Sequence, residues 1–272
     1  MHSPHFIAEE YLARINYVSD ITVSQQSLTA LHNAQIQTIP FENFDIFLGQ
    51  EIKLDSQSLF NKLVRHKRGG YCFELNGLML MALQYFGFDA RALLGRVHLT
   101  GTPTGRGHQI CVVTLNNTQW IVDVGFGANT PMQPLPLEFN IEFKTKDKIV
   151  RFIEHPLFGI MFQVKNNDAW DDLYSFELSH VCAGDISYGN HFTSTNPNSI
   201  FVSSRVAYLP IKNGAFTLFN YTLKKTIDNN EIIETLPAGK AYIDALKYYF
   251  GIELTASYEQ LKDVNIDSNQ RP

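Results

Sequence analysis

The chain has 272 residues, of which 44 % are hydrophobic and 18 % charged, so a substantial core can form and global disorder is excluded. That length suits one large domain or two to three small ones. The net charge of -5, with a sequence pI near 6.0, excludes the broad basic field of a general nucleic-acid binder but leaves room for a local positive patch facing an anionic ligand.

Phe6, Ile7, Tyr11, Leu12 and Ile15 recur at helical spacing and predict a helix over 6–17, with Ser3 as cap and Pro4 in the first turn. A second helix is predicted over 24–35, stopping before Pro40. A third, over 56–65, places Leu59, Phe60, Leu63 and Val64 on one face and is broken by Gly69-Gly70. A fourth, over 72–86, is rich in Leu and Met and ends at Gly87, a suitable residue to terminate it. After Asp89 the pattern changes. Segments 91–99, 109–115, 119–124, 149–154, 161–165 and 170–178 are short, β-branched or aromatic, and read as antiparallel strands of a barrel or strongly bent sheet. Residues 187–198 read as polar and irregular. Strands are predicted at 202–210, 215–223 and 231–235, then a helix over 238–250 and a disordered polar tail from Asp263 to Pro272. Helices followed by sheet and a mixed final segment make an α+β protein.

The cysteines are Cys72, Cys111 and Cys182. Their odd number and wide spacing argue against a disulfide scaffold or a CxxC zinc site, and predict reduced thiols in a cytoplasm. Met1-His2-Ser3-Pro4 does not open a basic-then-apolar leader, and no apolar run reaches the roughly 20 residues of a membrane span.

The stretch Arg68-Gly69-Gly70-Tyr71-Cys72-Phe73-Glu74 carries the most chemistry. Two glycines let the backbone turn sharply, and Cys72 falls in the first turn of the following helix. Unpaired N–H groups and the helix dipole favour a thiolate there and can hold an oxyanion. A nucleophilic cysteine needs a base and the base an orienting group. If Asn116-Asn117 form a two-residue turn, Leu115 pairs with Thr118, Asp123 faces Ile110, and His108 and Asp123 become diagonal neighbours on one face. A loop one residue longer would put them on opposite faces. His98 and His191 are competing bases, neither with an acid so placed. Cys111 alternates away from His108, and both it and Cys182 read as structural. A buried helical Cys72 and an idle His108 are the bland alternatives.

Ile39-Pro40-Phe41-Glu42-Asn43, the run from Arg68 to Gly77, Leu94-Gly95-Arg96-Val97 and the run from Trp120 to Gly127 closely resemble the bacterial arylamine N-acetyltransferases, in order and spacing over most of the chain. The resemblance implies a helical first domain (1–88), a β-barrel second domain (89–186) and an α/β lid (187–272), the first two forming a cysteine-protease-like core. It places the catalytic triad on Cys72, His108 and Asp123, the residues the hairpin argument selects. It implies a ping-pong reaction: acetyl-CoA acetylates Cys72, and an arylamine, hydrazine or N-hydroxyarylamine removes the acetyl group. Phe41 and Phe126 match positions lining the acceptor pocket. Gly125, Gly127 and Ala128 match a loop near the pantetheine and pyrophosphate of CoA; the family commonly has Gly where Ala128 stands, so Ala128 would be strained if its φ is positive. Thr104 and Gly105 match further positions near CoA in some relatives, and Ser203, Ser204 and Tyr208 lie in the lid region, within reach of CoA. Glu42 and Arg68 are expected to pair before Cys72. No metal, nucleic acid or membrane partner is expected. A macrolactam-closing amide synthase, a cysteine hydrolase or transglutaminase-like enzyme, and an inactive binding module remain as rivals.

Overall fold

The computed structural model describes residues 5–264 except 147 and 229; Ser3, Pro4 and the segment 265–272 lie outside the described residues. The first helix, α1 (Ala8–Arg14), is shorter than its periodicity suggests, because Asn16 adopts a φ of +55° just after it. In α2 (Gln25–Ile36) the Ser24 hydroxyl accepts the Ser27 N–H, and Leu28 and Leu31 turn inward. A two-residue strand β1 (Phe41–Glu42) and a single-turn helix α3 (Phe44–Phe47) follow, neither of which the sequence pattern announces. The predicted third helix is α4 (Ser56–Phe60), capped by Asp55 and passing into a π-helical turn at Asn61–Arg65. Its predicted face, Leu59, Phe60, Leu63 and Val64, is buried. Helix α5 (Cys72–Tyr85) packs against the others and stops at Gly87, whose φ is +86°.

Eight strands form one antiparallel sheet in the order β5-β4-β3-β2-β9-β8-β7-β6. These are β2 (Asp89–Val97), β3 (His108–Leu115), β4 (Thr118–Val122), β5 (Leu135–Pro136), β6 (Phe143–Lys144), β7 (Ile149–His155), β8 (Gly159–Asn166) and β9 (Ala169–Phe176). Along β3 the side chains alternate between two cores. Cys111 and Val113 join Leu75, Met79 and Leu83 of α5, whereas Ile110 and Val112 join Phe152, Phe162 and Tyr174 inside the sheet. The strand that carries His108 is therefore clamped on both faces.

The last third differs from expectation. Residues 187–198 are mostly helix α6 (Ala183–Thr195), not irregular chain. Its Gly, Asn, Ser and Thr content conceals it, and only Thr193 is buried. Contacts with the rest of the molecule hold it. The Asn190 amide donates to Ile52 O at 3.0 Å and Tyr71 hydrogen-bonds the Asn190 side chain. A Cβ on Gly189 would lie 2.8 Å from both Arg106 O and the Phe73 ring, so only glycine lets the helix sit this close. The predicted strand 202–210 begins later, because Ser199 caps a one-turn helix α7 (Ile200–Ser203) before β10 (Val206–Ile211). The predicted strand 215–223 is two strands, β11 (Gly214–Phe219) and β12 (Thr222–Ile227), separated by Asn220 at a φ of +52°. With β13 (Asn230–Thr235) they form a second sheet, ordered β1-β10-β11-β12-β13. Helix α8 (Lys240–Phe250) covers it, and Phe44 and Phe47 join that third core. Among the described residues no helix is long and apolar enough to cross a membrane.

Candidate active site

Cys72 is the first residue of α5 and 4 % exposed. Its position is set by close backbone packing. A Cβ on Gly69 would lie 2.2 Å from Pro40 O, and one on Gly70 would lie 2.7 Å from Glu74 Cβ. Neither glycine needs a positive φ; both are required because strand β1 and the Glu74 side chain press against them. Arg68 pairs with Glu42 at 2.8 Å, as expected, and also with Asp45 at 2.7 Å. Lys62 bridges Asp45 and Glu74, each at 2.7 Å. The Glu74 carboxylate then accepts the Tyr71 N–H at 3.1 Å, which closes the start of α5. Burial pushes the Glu74 carboxyl up to about 7, against the pull of Lys62.

The hairpin opposite Cys72 has the register that a two-residue turn demands. Asn116 and Asn117 have φ of +50° and +61°, and Leu115 pairs with Thr118. The chain leaves β4 at Asp123, and the His108 Nε2 lies 2.8 Å from Asp123 Oδ2. Both side chains are buried, at 2 % and 0 % exposure. Burial alone would lower the His108 pKa. The charge of Asp123 and its hydrogen bond, then the hydrogen bond and charge of Cys72, outweigh burial and raise it to about 10. Burial would likewise raise the Asp123 carboxyl, but His108, the Gly125 N–H and Asn76 hold it below the ordinary carboxylate range. The Cys72 thiol also faces Gly107 O at 3.7 Å. Cys72, His108 and Asp123 thus form one connected constellation. His98 instead hydrogen-bonds Ser175 Oγ at 2.9 Å, and His191 is exposed on α6.

A thiol at a helix N-terminus, a buried imidazole holding its proton and an ionised orienting carboxylate are the parts of acyl-transfer chemistry. Comparison with known proteins points the same way. Residues 24–258 match a family model described as N-acetyltransferase. The arylamine N-acetyltransferase of Escherichia coli is 34 % identical over 252 residues, covering 90 % of this chain and 89 % of that protein. The chain belongs to the arylamine N-acetyltransferase family. It is therefore an acyltransferase. A Salmonella typhimurium relative, named arylamine N-acetyltransferase / N-hydroxyarylamine O-acetyltransferase, is 35 % identical over 233 residues, or 84 % of this chain and 82 % of that protein. The Mycobacterium marinum family member solved in complex with CoA superposes with a TM-score of 0.87 at 31 % identity, over 93 % of this chain and 96 % of that chain.

The residues matched to the family's pocket fall into two groups. Phe126 packs on the His108 ring at 4.6 Å between centroids, and Phe41 packs on Phe201 at 5.8 Å. Gly125 lets the loop approach α5, since a Cβ there would lie 2.9 Å from Cys72 Cα. Gly127 carries a φ of +59°, whereas Ala128 is not among the positive-φ residues. The strain expected at Ala128 is absent, because the position that needs glycine is the preceding one. This loop lies against β10, where Tyr208 pairs with Phe41. Ser203 ends α7 half-exposed and Ser204 is buried. Thr104 and Gly105 lie in the exposed connection between β2 and β3. There the Thr104 hydroxyl accepts the Val97 N–H at 2.9 Å, and Gly105 faces open space. Cys111 is buried in the helical core as expected, while Cys182 is exposed at the start of α6.

Several residues at the site carry no signal that singles them out in the sequence. Asn76 donates to Asp123, and His32 reaches the Asp123 carbonyl from α2 at 3.0 Å. Tyr174 packs on His108 at 4.9 Å. Lys148 holds the 127–129 loop through Ala128 O at 2.6 Å and Asn129 Oδ1 at 3.1 Å. Only Asn76 lies inside a recognisable motif; His32 arrives from α2, Tyr174 from β9 and Lys148 from the turn between β6 and β7. Among the described residues no group of His, Cys, Asp and Glu could hold a metal ion.

Proposed function

We propose that this chain acetylates arylamines and arylhydrazines, and N-hydroxyarylamines on oxygen, by a ping-pong reaction through an acetyl group on Cys72. The observation that carries the reading is the His108 imidazole, hydrogen-bonded to buried Asp123 at 2.8 Å and holding its proton up to about pH 10 beside the Cys72 sulfur. A charged imidazole favours the thiolate form of its neighbour.

The Cys72 sulfur attacks the thioester carbonyl of acetyl-CoA. The carbonyl oxygen becomes an oxyanion at the N-terminal turn of α5, where backbone N–H groups have no partner within the helix. The tetrahedral intermediate expels the CoA sulfur, which takes the proton from His108. After CoA leaves, the amine nitrogen attacks the acetyl carbonyl, His108 takes the nitrogen's proton, and the Cys72 thiolate departs. Protonated His108 and the starting thiolate are restored. The buried triad walls and the Phe41 and Phe126 rings suit a flat aromatic acceptor, and the loop of Gly125, Gly127 and Ala128 suits the pantetheine and pyrophosphate.

The test is intact-mass measurement after incubation with acetyl-CoA alone. One added acetyl group, located on Cys72, absent in Cys72→Ala and discharged by an arylamine such as an aminosalicylate, supports the reading. Rapid loss to water without amine would instead mark a hydrolase, and no acetylation would refute a covalent intermediate.

A further inference from the structure

Asn76 stands four residues after Cys72, so the two side chains project from the same face of α5. It is fully buried. Its amide nitrogen donates to Gln109 O at 2.8 Å and to Asp123 Oδ1 at 3.0 Å, and its oxygen accepts the Val124 N–H at 3.0 Å. Because Gln109 O can only accept and the Val124 N–H can only donate, the amide has a single possible orientation. The Gly125 N–H is a second donor to Asp123 Oδ1, at 2.9 Å. Two donors occupy Oδ1, which leaves Oδ2 to meet His108. We propose that Asn76 is a positioning residue: its amide ties the Cys72 helix to both strands of the hairpin bearing His108 and Asp123, and dedicates one carboxylate oxygen of Asp123 to His108. This rests on the reading of Cys72 and His108 given above.

Donors to a carboxylate favour its ionised form, in keeping with the lowered Asp123 pKa. Removing the Asn76 amide therefore raises the pH at which Asp123 takes a proton and His108 loses its counter-charge. Geometry changes through the same carboxylate, since without the amide Asp123 Oδ1 keeps only the Gly125 N–H and is no longer keyed to the helix that carries the sulfur.

The test measures Cys72 alkylation by iodoacetamide against pH, on protein shown to be folded by circular dichroism, in wild type, Asn76→Ala, Asp123→Asn and the double variant. Asn76→Ala should move the acid limb of alkylation up by about one pH unit, which slows alkylation about tenfold at pH values on that limb. In the Asp123→Asn background it should add no further loss, because its effect runs through that carboxylate. If Asn76→Ala does not fold, Asn76→Ser, which keeps a polar atom for Val124, is held to the same outcomes. An unmoved acid limb, or losses that multiply in the double variant, would reduce Asn76 to a packing residue. Preincubation with acetyl-CoA separates the two readings. If it fails to protect wild-type Cys72, the assignment of the nucleophile falls, and this inference with it. Protection combined with wild-type behaviour of the Asn76 variants overturns the role of Asn76 alone.

Discussion

His32 shows how a single buried side chain holds the site. Its Nε2 meets the Asp123 carbonyl, which can only accept, so that nitrogen carries a hydrogen. Burial lowers its pKa from the ordinary 6.5 to about 4. As pH falls through that window the unfolded chain binds a proton that the native protein refuses, so His32 weakens the fold toward acid. His32→Gln keeps a donor but cannot titrate. Its stability relative to wild type should rise by about 3 kcal/mol between pH 6.5 and 4, read from denaturant unfolding at a series of pH values. Parallel curves for the two proteins would show that His32 is not neutral and buried in this way. At this scale the approach of His108 to Asp123 was readable and its supports were not. Asn116-Asn117 sets the register that brings His108 to Asp123, a local matter of turn chemistry. His32 and Tyr174 lie 91 and 51 residues from Asp123 in the chain, and no local periodicity encodes that approach.

Among the elements, α5 depends on a buried charge cluster at its start. Glu42, Asp45, Lys62, Arg68 and Glu74 come from β1, α3, the π-helical turn, the loop and α5 itself, and their ion pairs are 2.7–2.8 Å long. Replacing the cluster whole could be neutral, but removing one member leaves charge buried without a partner. Arg68→Met should therefore lower stability by about 3–5 kcal/mol, measured by chemical denaturation; a change below about 1 kcal/mol would mean that solvent reaches these carboxylates. The pairing of Glu42 with Arg68 was foreseeable from two flanking motifs. Asp45 and Lys62 were not, because both occupy stretches that read as ordinary amphipathic or polar chain. Helix α6 escaped for the opposite reason. It lacks an apolar stripe, and its glycines argue against a helix, yet Gly189 is what allows it to rest on Arg106 and Phe73.

Across the whole molecule, the α+β order of helices, then a large antiparallel sheet, then a smaller mixed unit follows from periodicity alone. The closures do not. Strand β2 pairs with β9 from 77 residues downstream, and β1 pairs with β10 across most of the chain, both set by tertiary packing. These long-range pairings bring the start of α5, the end of β4 and the Gly127 loop to one point, and the point is His108. The most direct test of the account is the protonation state of that ring, followed by nitrogen-15 NMR of histidine-labelled protein from pH 6 to 10.5 and assigned with a His108→Gln variant. Both ring nitrogens of His108 should stay protonated until about pH 10. A ring already neutral at pH 7, with Cys72 reduced and unmodified, would contradict the account.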